Sequence, residues 1–182
     1  YEACEIHSMS MEFLTWDWMH LFFKEDTDKF LFKHIAGSLA FLPYGALVDH
    51  FQHWVYENPT ATPKERKKQW LILENIYQPG KDYDNLEFLK NGGFWQKQAH
   101  IYEMPFYYID YTLAQVCAFQ FWIRMQENKK EAWNDYLKLC KAGGSMSFLD
   151  LVKLANIKSP FDPEVFEEVA KKINNWLSEN SL

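Results

Sequence analysis

The sequence predicts an all-α fold, and three observations support this. Long stretches lack Gly and Pro, and their apolar residues recur at the three- and four-residue spacing of a helix. The alternating apolar and polar pattern of a strand is nearly absent. The chain also has only 7 Gly and 7 Pro in 182 residues, which is few for a protein of short strands and turns. We therefore expect a single helical region over residues 1–182.

Three helices are expected in the first third of the chain. The stretch 5–23 contains neither Gly nor Pro and predicts one long helix. A second helix is expected over 28–40, where apolar residues follow helical spacing. Pro43 and Gly45 should break it, because proline cannot donate a helical hydrogen bond. A third helix is expected over 47–57.

The middle and the end of the chain contain clear helix boundaries. Thr62, Pro63 and Glu65 predict a helix start with a capping box, since Thr and Glu three residues apart can satisfy each other's backbone N–H groups. This helix should end before Pro79. The remaining helices are expected over 94–102, from Pro105 to about Asn128, over 130–141, from Ser147, and from Asp162 with the apolar face Val165, Val169, Ile173 and Leu177.

Composition excludes several classes of protein. The chain is 48% hydrophobic and 18% aromatic, which excludes a disordered tail or linker. Its net charge of −6 argues against nucleic-acid binding, which needs a basic surface to neutralise phosphates. Cys4, Cys117 and Cys140 are widely spaced and predict free thiols in a reducing cytoplasm.

We expect no membrane partner. We also expect no signal peptide, because the first residues lack a basic start and an apolar run. The stretch 104–123 is long enough to span a bilayer and carries one charge, Asp110. Its tyrosines and glutamines favour a buried helix in a water-soluble protein instead.

Glu5 and Glu12 form the first candidate constellation. Seven residues apart on a helix, they share a face, and the neighbouring side chains are largely apolar. Carboxylates are costly to bury unpaired, so a metal ion would compensate them. The alternative is an exposed, solvated stripe, which spacing alone favours.

His50, His53 and Glu57 form the second candidate constellation. They are three and seven residues apart and would face one side of a helix. Imidazole and carboxylate groups are zinc ligands, but zinc sites on one helix commonly use histidines four residues apart. A structural role with hydrogen-bonded histidines is therefore the favoured interpretation, and a local metal site is the alternative.

His100, Tyr108 and Tyr111 form the third candidate constellation. Tyr108 and Tyr111 are three residues apart, so both phenols point to one side of a helix, and His100 precedes them. These groups donate hydrogen bonds and can stabilise an oxyanion. The alternative, favoured without further context, is that the tyrosines are core residues with satisfied hydroxyls.

Taken in order, these motifs resemble the oligoendopeptidase F group, relatives of thimet oligopeptidase. These are zinc metallopeptidases that cut short peptides. The resemblance covers most of the chain. It is carried by three stretches: 3–13 (ACEIHSMSMEF), 49–59 (DHFQHWVYENP) and 100–111 (HIYEMPFYYIDY).

The resemblance implies a role for each candidate residue. Glu5 corresponds to the third zinc ligand, and Glu12 to a carboxylate close behind it. His100, Tyr108 and Tyr111 correspond to catalytic donors to the substrate carbonyl and the tetrahedral intermediate, and His100 and Tyr107, which precedes Tyr108, to substrate-binding groups. Spacing leaves open which of the three tyrosines faces the zinc. The thimet-like relatives have a Gly-rich loop before these tyrosines, whereas residues 101–106 contain no glycine, so the loop's flexibility is expected to differ.

One part of the family pattern is missing. The family holds zinc with two histidines of an HExxH helix that also supplies the general base, but none of the six histidines here is followed by Glu. The chain also begins at Tyr1 rather than Met. We therefore expect it to be the C-terminal part of a larger helical zinc metallopeptidase catalytic domain, with the HExxH part upstream.

The expected partners follow from this interpretation. They are short peptide substrates and the missing N-terminal part of the same enzyme, and the chain alone should be inactive and could self-associate through exposed apolar surface. The alternative is a non-catalytic helical module of the same family that binds peptides without cutting them.

Overall fold

The structure, a computed structural model, describes residues 2–181 and confirms the all-α prediction. The structure is 77% helical, and no strand occurs among the residues described. Tyr1, the point upstream of which the HExxH part is expected, lies outside the described residues. The helices of this part of the chain are α1 (Cys4–Leu14), α2 (His20–Phe23), α3 (Thr27–Glu57), α4 (Pro63–Tyr77), α5 (Glu87–Lys90), α6 (His100–Glu103), α7 (Tyr108–Ala142), α8 (Phe148–Leu154) and α9 (Pro163–Glu179).

The chain divides into two compact units. The second unit is Phe41–Thr112, and the first contains the residues on both sides of it in sequence. Helices α3 and α7 contribute residues to both units. The expectation of a single helical region stays a prediction.

The prediction of one helix over 5–23 is wrong. Helix α1 ends at Leu14, and a 3₁₀ turn and the short helix α2 follow. Thr15 has non-helical backbone angles, and its hydroxyl donates to the carbonyl oxygens of Met11 at 2.9 Å and Glu12 at 3.1 Å. A threonine side chain that binds the preceding turn competes with the next helical hydrogen bonds, which explains the early end.

The prediction of a helix break at Pro43 and Gly45 is also wrong. Helix α3 continues through both residues for 31 residues in total. Pro43 removes one backbone donor, but burial of Leu47 and Val48 on the following turn favours the continuous helix. Gly45 is needed for another reason: a Cβ atom here would lie 2.0 Å from the Thr112 hydroxyl oxygen, so only glycine allows this approach.

The predicted start of α4 is confirmed. The Thr62 hydroxyl accepts from the Glu65 backbone N–H at 3.3 Å, and the Glu65 carboxylate accepts from the Thr62 backbone N–H at 2.8 Å. Pro63 occupies the first helical position, where its missing N–H costs nothing. All three features are local in sequence, which is why the pattern predicts them well.

Later boundaries are confirmed in part. The predicted interruption near Asn128 is present as a kink in α7, where Asn128 has φ −150° and ψ 87°. Ser147 and Asp162 cap α8 and α9 as expected. The prediction of one helix over 94–102 is wrong, because Gln98 adopts an extended conformation between a 3₁₀ turn and α6.

Each unit has its own apolar core. The core of the first unit contains Ile6 and Leu14 of α1, packed with residues of α7 and α8 such as Phe121, Leu139 and Leu151. The core of the second unit is largely aromatic. It is made of Leu47, Val48, Phe51, Trp70, Leu73, Trp95 and Tyr108.

One apolar helical stretch in the described part of the chain, Trp16–Glu57, is long enough to cross a membrane. Its most apolar 18-residue window has a mean hydropathy of 1.3 and is 28% buried. Length and composition alone are weak evidence, because core helices of water-soluble proteins pass the same test. The absence of a membrane partner stays a prediction.

Candidate active site

The structure brings His100 and Tyr111 together in the second unit. His100 lies at the start of α6 and Tyr111 in the first turn of α7. The His100 Nε2 atom is 3.2 Å from the Tyr111 hydroxyl oxygen, which is hydrogen-bonding distance. The two rings meet edge to face, with centroids 5.6 Å apart. Two of the groups predicted to bind a substrate carbonyl therefore form one cluster.

Tyr108 packs against the same imidazole. Its ring centroid is 5.1 Å from that of His100 and 5.4 Å from that of Tyr111, edge to face in both cases. Tyr108 is only 8% exposed, and burial raises the pKa of its hydroxyl to about 12. The hydroxyl therefore stays protonated over the physiological range and keeps its ability to donate.

Tyr107 lies at the end of the loop that joins α6 to α7. Its ring packs edge to face on Tyr111, with centroids 5.3 Å apart. The preceding residue, Phe106, has φ +64°, a left-handed conformation that favours glycine and is rare for a bulky side chain. Its ring packs on His53 at 4.9 Å and on Tyr56 at 4.8 Å. The loop has no glycine, yet it adopts a backbone conformation that favours one.

Glu5 and Glu12 lie on α1 in the first unit. The half-buried Glu5 carboxylate accepts a 3.1 Å hydrogen bond from the Ser8 hydroxyl. The Glu12 carboxylate is 62% exposed, and its Oε2 atom lies 3.0 Å from His34 Nε2. Neither carboxylate is buried, so the cost of desolvating them is modest.

Sequence reasoning missed His34 and Trp16, which hold Glu12. The Trp16 Nε1–H donates to His34 Nδ1 at 2.9 Å, so the proton of the neutral imidazole sits on Nε2 and is donated to Glu12. The His34 ring is fixed between Phe13 and Phe30. Trp16 and His34 are 18 residues apart, and no local pattern connects them.

His50, His53 and Glu57 do not form a metal site. His50 Nδ1 is 3.1 Å from the Tyr77 hydroxyl, and His53 Nε2 is 3.4 Å from the Asp49 carboxylate. Within residues 2–181, no group of three or more His, Cys, Asp or Glu side chains is placed to hold a metal ion. The favoured prediction of a hydrogen-bonded histidine is confirmed for His50, and His53 lies at ion-pair distance from Asp49. The described residues supply no ligand set that would support the alternative of a local metal site.

Comparison with known proteins identifies the family of the chain. The sequence profile of peptidase family M3 matches residues 1–171. The chain belongs to peptidase family M3. Peptidases of this family are generally metal-dependent. None of the curated proteins compared with the chain matches it.

Three solved structures place the M3 chain within a larger fold. It is 61% identical to PZ peptidase A, determined with an inhibitor, with a TM-score of 0.96 over 98% of the chain. It is 58% identical to a structure described as oligoendopeptidase F, with a TM-score of 0.96, and 51% identical to an oligoendopeptidase F of Bacillus anthracis strain Ames, with a TM-score of 0.84. The chain spans 32%, 33% and 30% of these structures, respectively.

The sequence resemblance implies zinc, and the described residues of this M3 chain include one suitable ligand for it. A carboxylate oxygen such as that of Glu5 is an accepted zinc ligand. In the described part of the chain it is not joined by two further ligands. Glu5 therefore fits the metal as one member of a ligand set, and the described residues do not make up the whole set.

Proposed function

We propose that this chain forms the substrate-side, C-terminal part of a zinc-dependent oligopeptidase that hydrolyses short peptides. The observation that supports the proposal best is the pairing of His100 Nε2 with the Tyr111 hydroxyl at 3.2 Å in a chain of family M3. An imidazole and a phenol held together in this way can donate to one oxygen atom.

The chemistry assigned to His100, Tyr108 and Tyr111 is electrostatic. As water adds to a peptide carbonyl, negative charge grows on the carbonyl oxygen, and donors already in place stabilise it without reorganisation. His100 can donate Nε2–H, and the tyrosines can donate their hydroxyl hydrogens. Tyr107 and His100 would also bind the substrate before reaction.

Glu5 is proposed as the zinc ligand of this chain, and Glu12 as a nearby carboxylate that does not bind the metal itself. When bound, the metal would supply the chemistry of a Lewis acid, which lowers the pKa of a coordinated water and polarises a carbonyl group. The contribution of the chain's own residues is to keep the Glu5 oxygens oriented, through the Ser8 hydroxyl, and to hold Glu12 through His34. The two histidine ligands and the general base would come from an HExxH helix outside these residues.

The test compares the chain alone with the chain reassociated with the N-terminal part of the enzyme. We expect no bound zinc and no peptide hydrolysis for the chain alone, and both after reassociation. Glu5→Gln should abolish zinc binding in the complex, whereas the exposed Glu25→Gln should not. Zinc-dependent hydrolysis by the chain alone would contradict the proposal. Peptide binding without hydrolysis in the complex would instead identify a non-catalytic peptide-binding module.

The proposed cellular setting is the cytoplasm. Cys4, Cys117 and Cys140 are all free thiols, which fits a reducing compartment. Fractionation of cells that express the intact protein tests this. A protein found with oxidised cysteines in a secreted fraction would contradict it.

We also propose that the chain self-associates when it is isolated. Trp18, Leu21 and Phe22 are 50%, 63% and 72% exposed in the first unit. The same unit has an apolar cavity of about 410 Å³ whose lining includes Met11 and Trp133. Apolar surface of this kind favours association. Size-exclusion chromatography should show an apparent mass above 21.8 kDa, and a clean monomer would contradict the idea.

A further inference from the structure

A continuous chain of side-chain hydrogen bonds leads to His100 from inside the second unit. The Tyr44 hydroxyl donates to the Gln98 carbonyl oxygen Oε1 at 2.9 Å. The Gln98 amide nitrogen Nε2 lies 2.8 Å from His100 Nδ1, and His100 Nε2 lies 3.2 Å from the Tyr111 hydroxyl. Four side chains are thus linked from the core to the candidate active site.

Each member of this chain has a defined role as donor or acceptor. An amide nitrogen of glutamine can only donate, so His100 Nδ1 must accept and carries no proton. The single proton of the neutral imidazole is then on Nε2, the nitrogen that points toward Tyr111. The Tyr111 oxygen accepts in that bond.

Tyr44 fixes the orientation of the Gln98 amide. Its hydroxyl donates to Oε1, which turns the amide nitrogen toward His100. Burial raises the pKa of Tyr44, so the hydroxyl keeps its proton. The Tyr44 ring is itself held edge to face by Trp70, Phe94 and Tyr108, with centroid distances of 6.5, 6.0 and 5.9 Å.

We propose that Gln98 is a positioning residue that selects the Nε2–H tautomer of His100, and that Tyr44 supports it by holding the Gln98 amide. The functional consequence rests on the proposed function: only the Nε2–H tautomer can donate a hydrogen bond from the side of the ring that faces Tyr111. The tautomer itself is a property of the chain and can be measured without substrate, metal or activity.

The test is nitrogen NMR of the chain with ¹⁵N-labelled histidine. Loss of one ring signal in His100→Gln assigns His100 among the six histidines. We expect the proton on Nε2 and a proton-free Nδ1. A proton on Nδ1 in the unsubstituted chain would overturn the proposal, whether or not any variant folds.

Two matched substitutions sharpen this measurement. In Gln98→Glu the carboxylate can only accept, so it requires a proton on Nδ1, and the Nδ1 signal should change to the protonated type. Gln96→Glu adds the same charge at an exposed position two residues away and should leave the His100 signals unchanged. Unchanged His100 signals in Gln98→Glu would refute the role of Gln98.

A third variant tests Tyr44. Tyr44→Phe removes the donor to Gln98 Oε1, frees the amide to rotate, and should produce signals of both His100 tautomers. A pure Nε2–H tautomer in Tyr44→Phe would refute the role of Tyr44. If the tautomer is as expected but His100→Phe, which has no donor on its ring, leaves peptide hydrolysis by the reassociated enzyme intact, the proposed function fails and the assignment of Gln98 stands.

Discussion

The two units each contain a network of polar side chains, and the networks differ in kind. In the first unit, the buried Asp135 carboxylate binds Arg124 at 2.5 Å, Lys138 at 2.7 Å and Asn156 at 3.1 Å. In the second unit, Tyr44 and Gln98 lead to His100 through neutral hydrogen bonds. In the first network every one of these hydrogen bonds ends at the Asp135 carboxylate, which accepts from all three neighbours. In the second network each side chain donates to the next one, and the series ends at the candidate active site.

This difference indicates what each network does. Opposite charges attract without needing one particular arrangement of protons, so the network of Asp135 holds helix α7 against the segment that follows α8. A series of neutral donors and acceptors gains little electrostatic energy, but its hydrogen bonds determine which atom holds each proton. We therefore expect substitutions in the first network to change stability, and substitutions in the second to change chemistry.

The largest effect on stability is expected for Asp135→Ala. It leaves the Arg124 guanidinium, which is 20% exposed, without its closest carboxylate, and losing one partner of a buried ion pair costs about 3–5 kcal/mol. Urea denaturation should show this loss. Asp28→Ala, an exposed aspartate at the start of α3, should cost less than about 1 kcal/mol. An equal effect of the two substitutions would show that the network of Asp135 does not stabilise the unit.

The largest effect on catalysis is expected for His100→Phe and Tyr111→Phe in the reassociated enzyme, since both variants keep a ring and lose the donor. Losing one donor to an oxyanion lowers kcat by about 10²- to 10³-fold. The free energy of unfolding should change little, because the pair is only partly buried. Tyr102→Phe, which removes a hydroxyl from a 58% exposed side chain nearby, serves as the control. Normal kcat for both site variants would remove these residues from the catalytic machinery.

How far the sequence predicts these networks depends on the distance between their members along the chain. Tyr108 and Tyr111 are three residues apart on one helix, so their common side follows from helical geometry. Tyr44 and Gln98 are 54 residues apart, and only the tertiary packing brings them together.

The same reasoning applies to the helices. The start of α4 at Thr62 depends on residues within one turn and was predictable. The continuation of α3 through Pro43 depends on burial of Leu47 and Val48, so tertiary packing overrides the local signal. The end of α1 at Thr15 depends on a hydroxyl that binds its own preceding turn, and threonine in a sequence does not indicate which choice it makes.

A smaller effect is expected from acid, and it should act on the first unit. Burial raises the pKa of Asp135, but hydrogen bonds from Lys138, Arg124 and Asn156 outweigh it and hold the pKa at about 2, below the usual 3.8. The Asp135 carboxylate therefore takes up its proton at a lower pH in the folded state than in the unfolded state. Above about pH 4 the ionised carboxylate contributes about 2 kcal/mol to the free energy of unfolding, and this contribution is lost as the pH falls through about 2. Asp135→Asn should flatten this part of the stability profile; an unchanged profile would contradict the assignment.

The smallest effect is expected in the loop beside His100. Phe106 combines an unfavourable left-handed conformation with ring packing on His53 and Tyr56. Phe106→Ala loses the ring and keeps the strain, whereas Phe106→Gly loses the ring and relieves the strain. The Gly variant should therefore be more stable than the Ala variant by about 1 kcal/mol, measured by urea denaturation.

Hydrogen exchange in the same two variants separates strain from order. The Phe106 N–H donates to Gln52 and the Tyr107 N–H to the Met104 carbonyl, so both amides report on the loop. We expect faster exchange at both amides in Phe106→Gly, because glycine has more conformations available when the ring no longer anchors the loop. Equal exchange in the Gly variant and the unsubstituted chain would mean that the backbone contacts alone order the loop. In that case its order would not depend on the Phe106 ring.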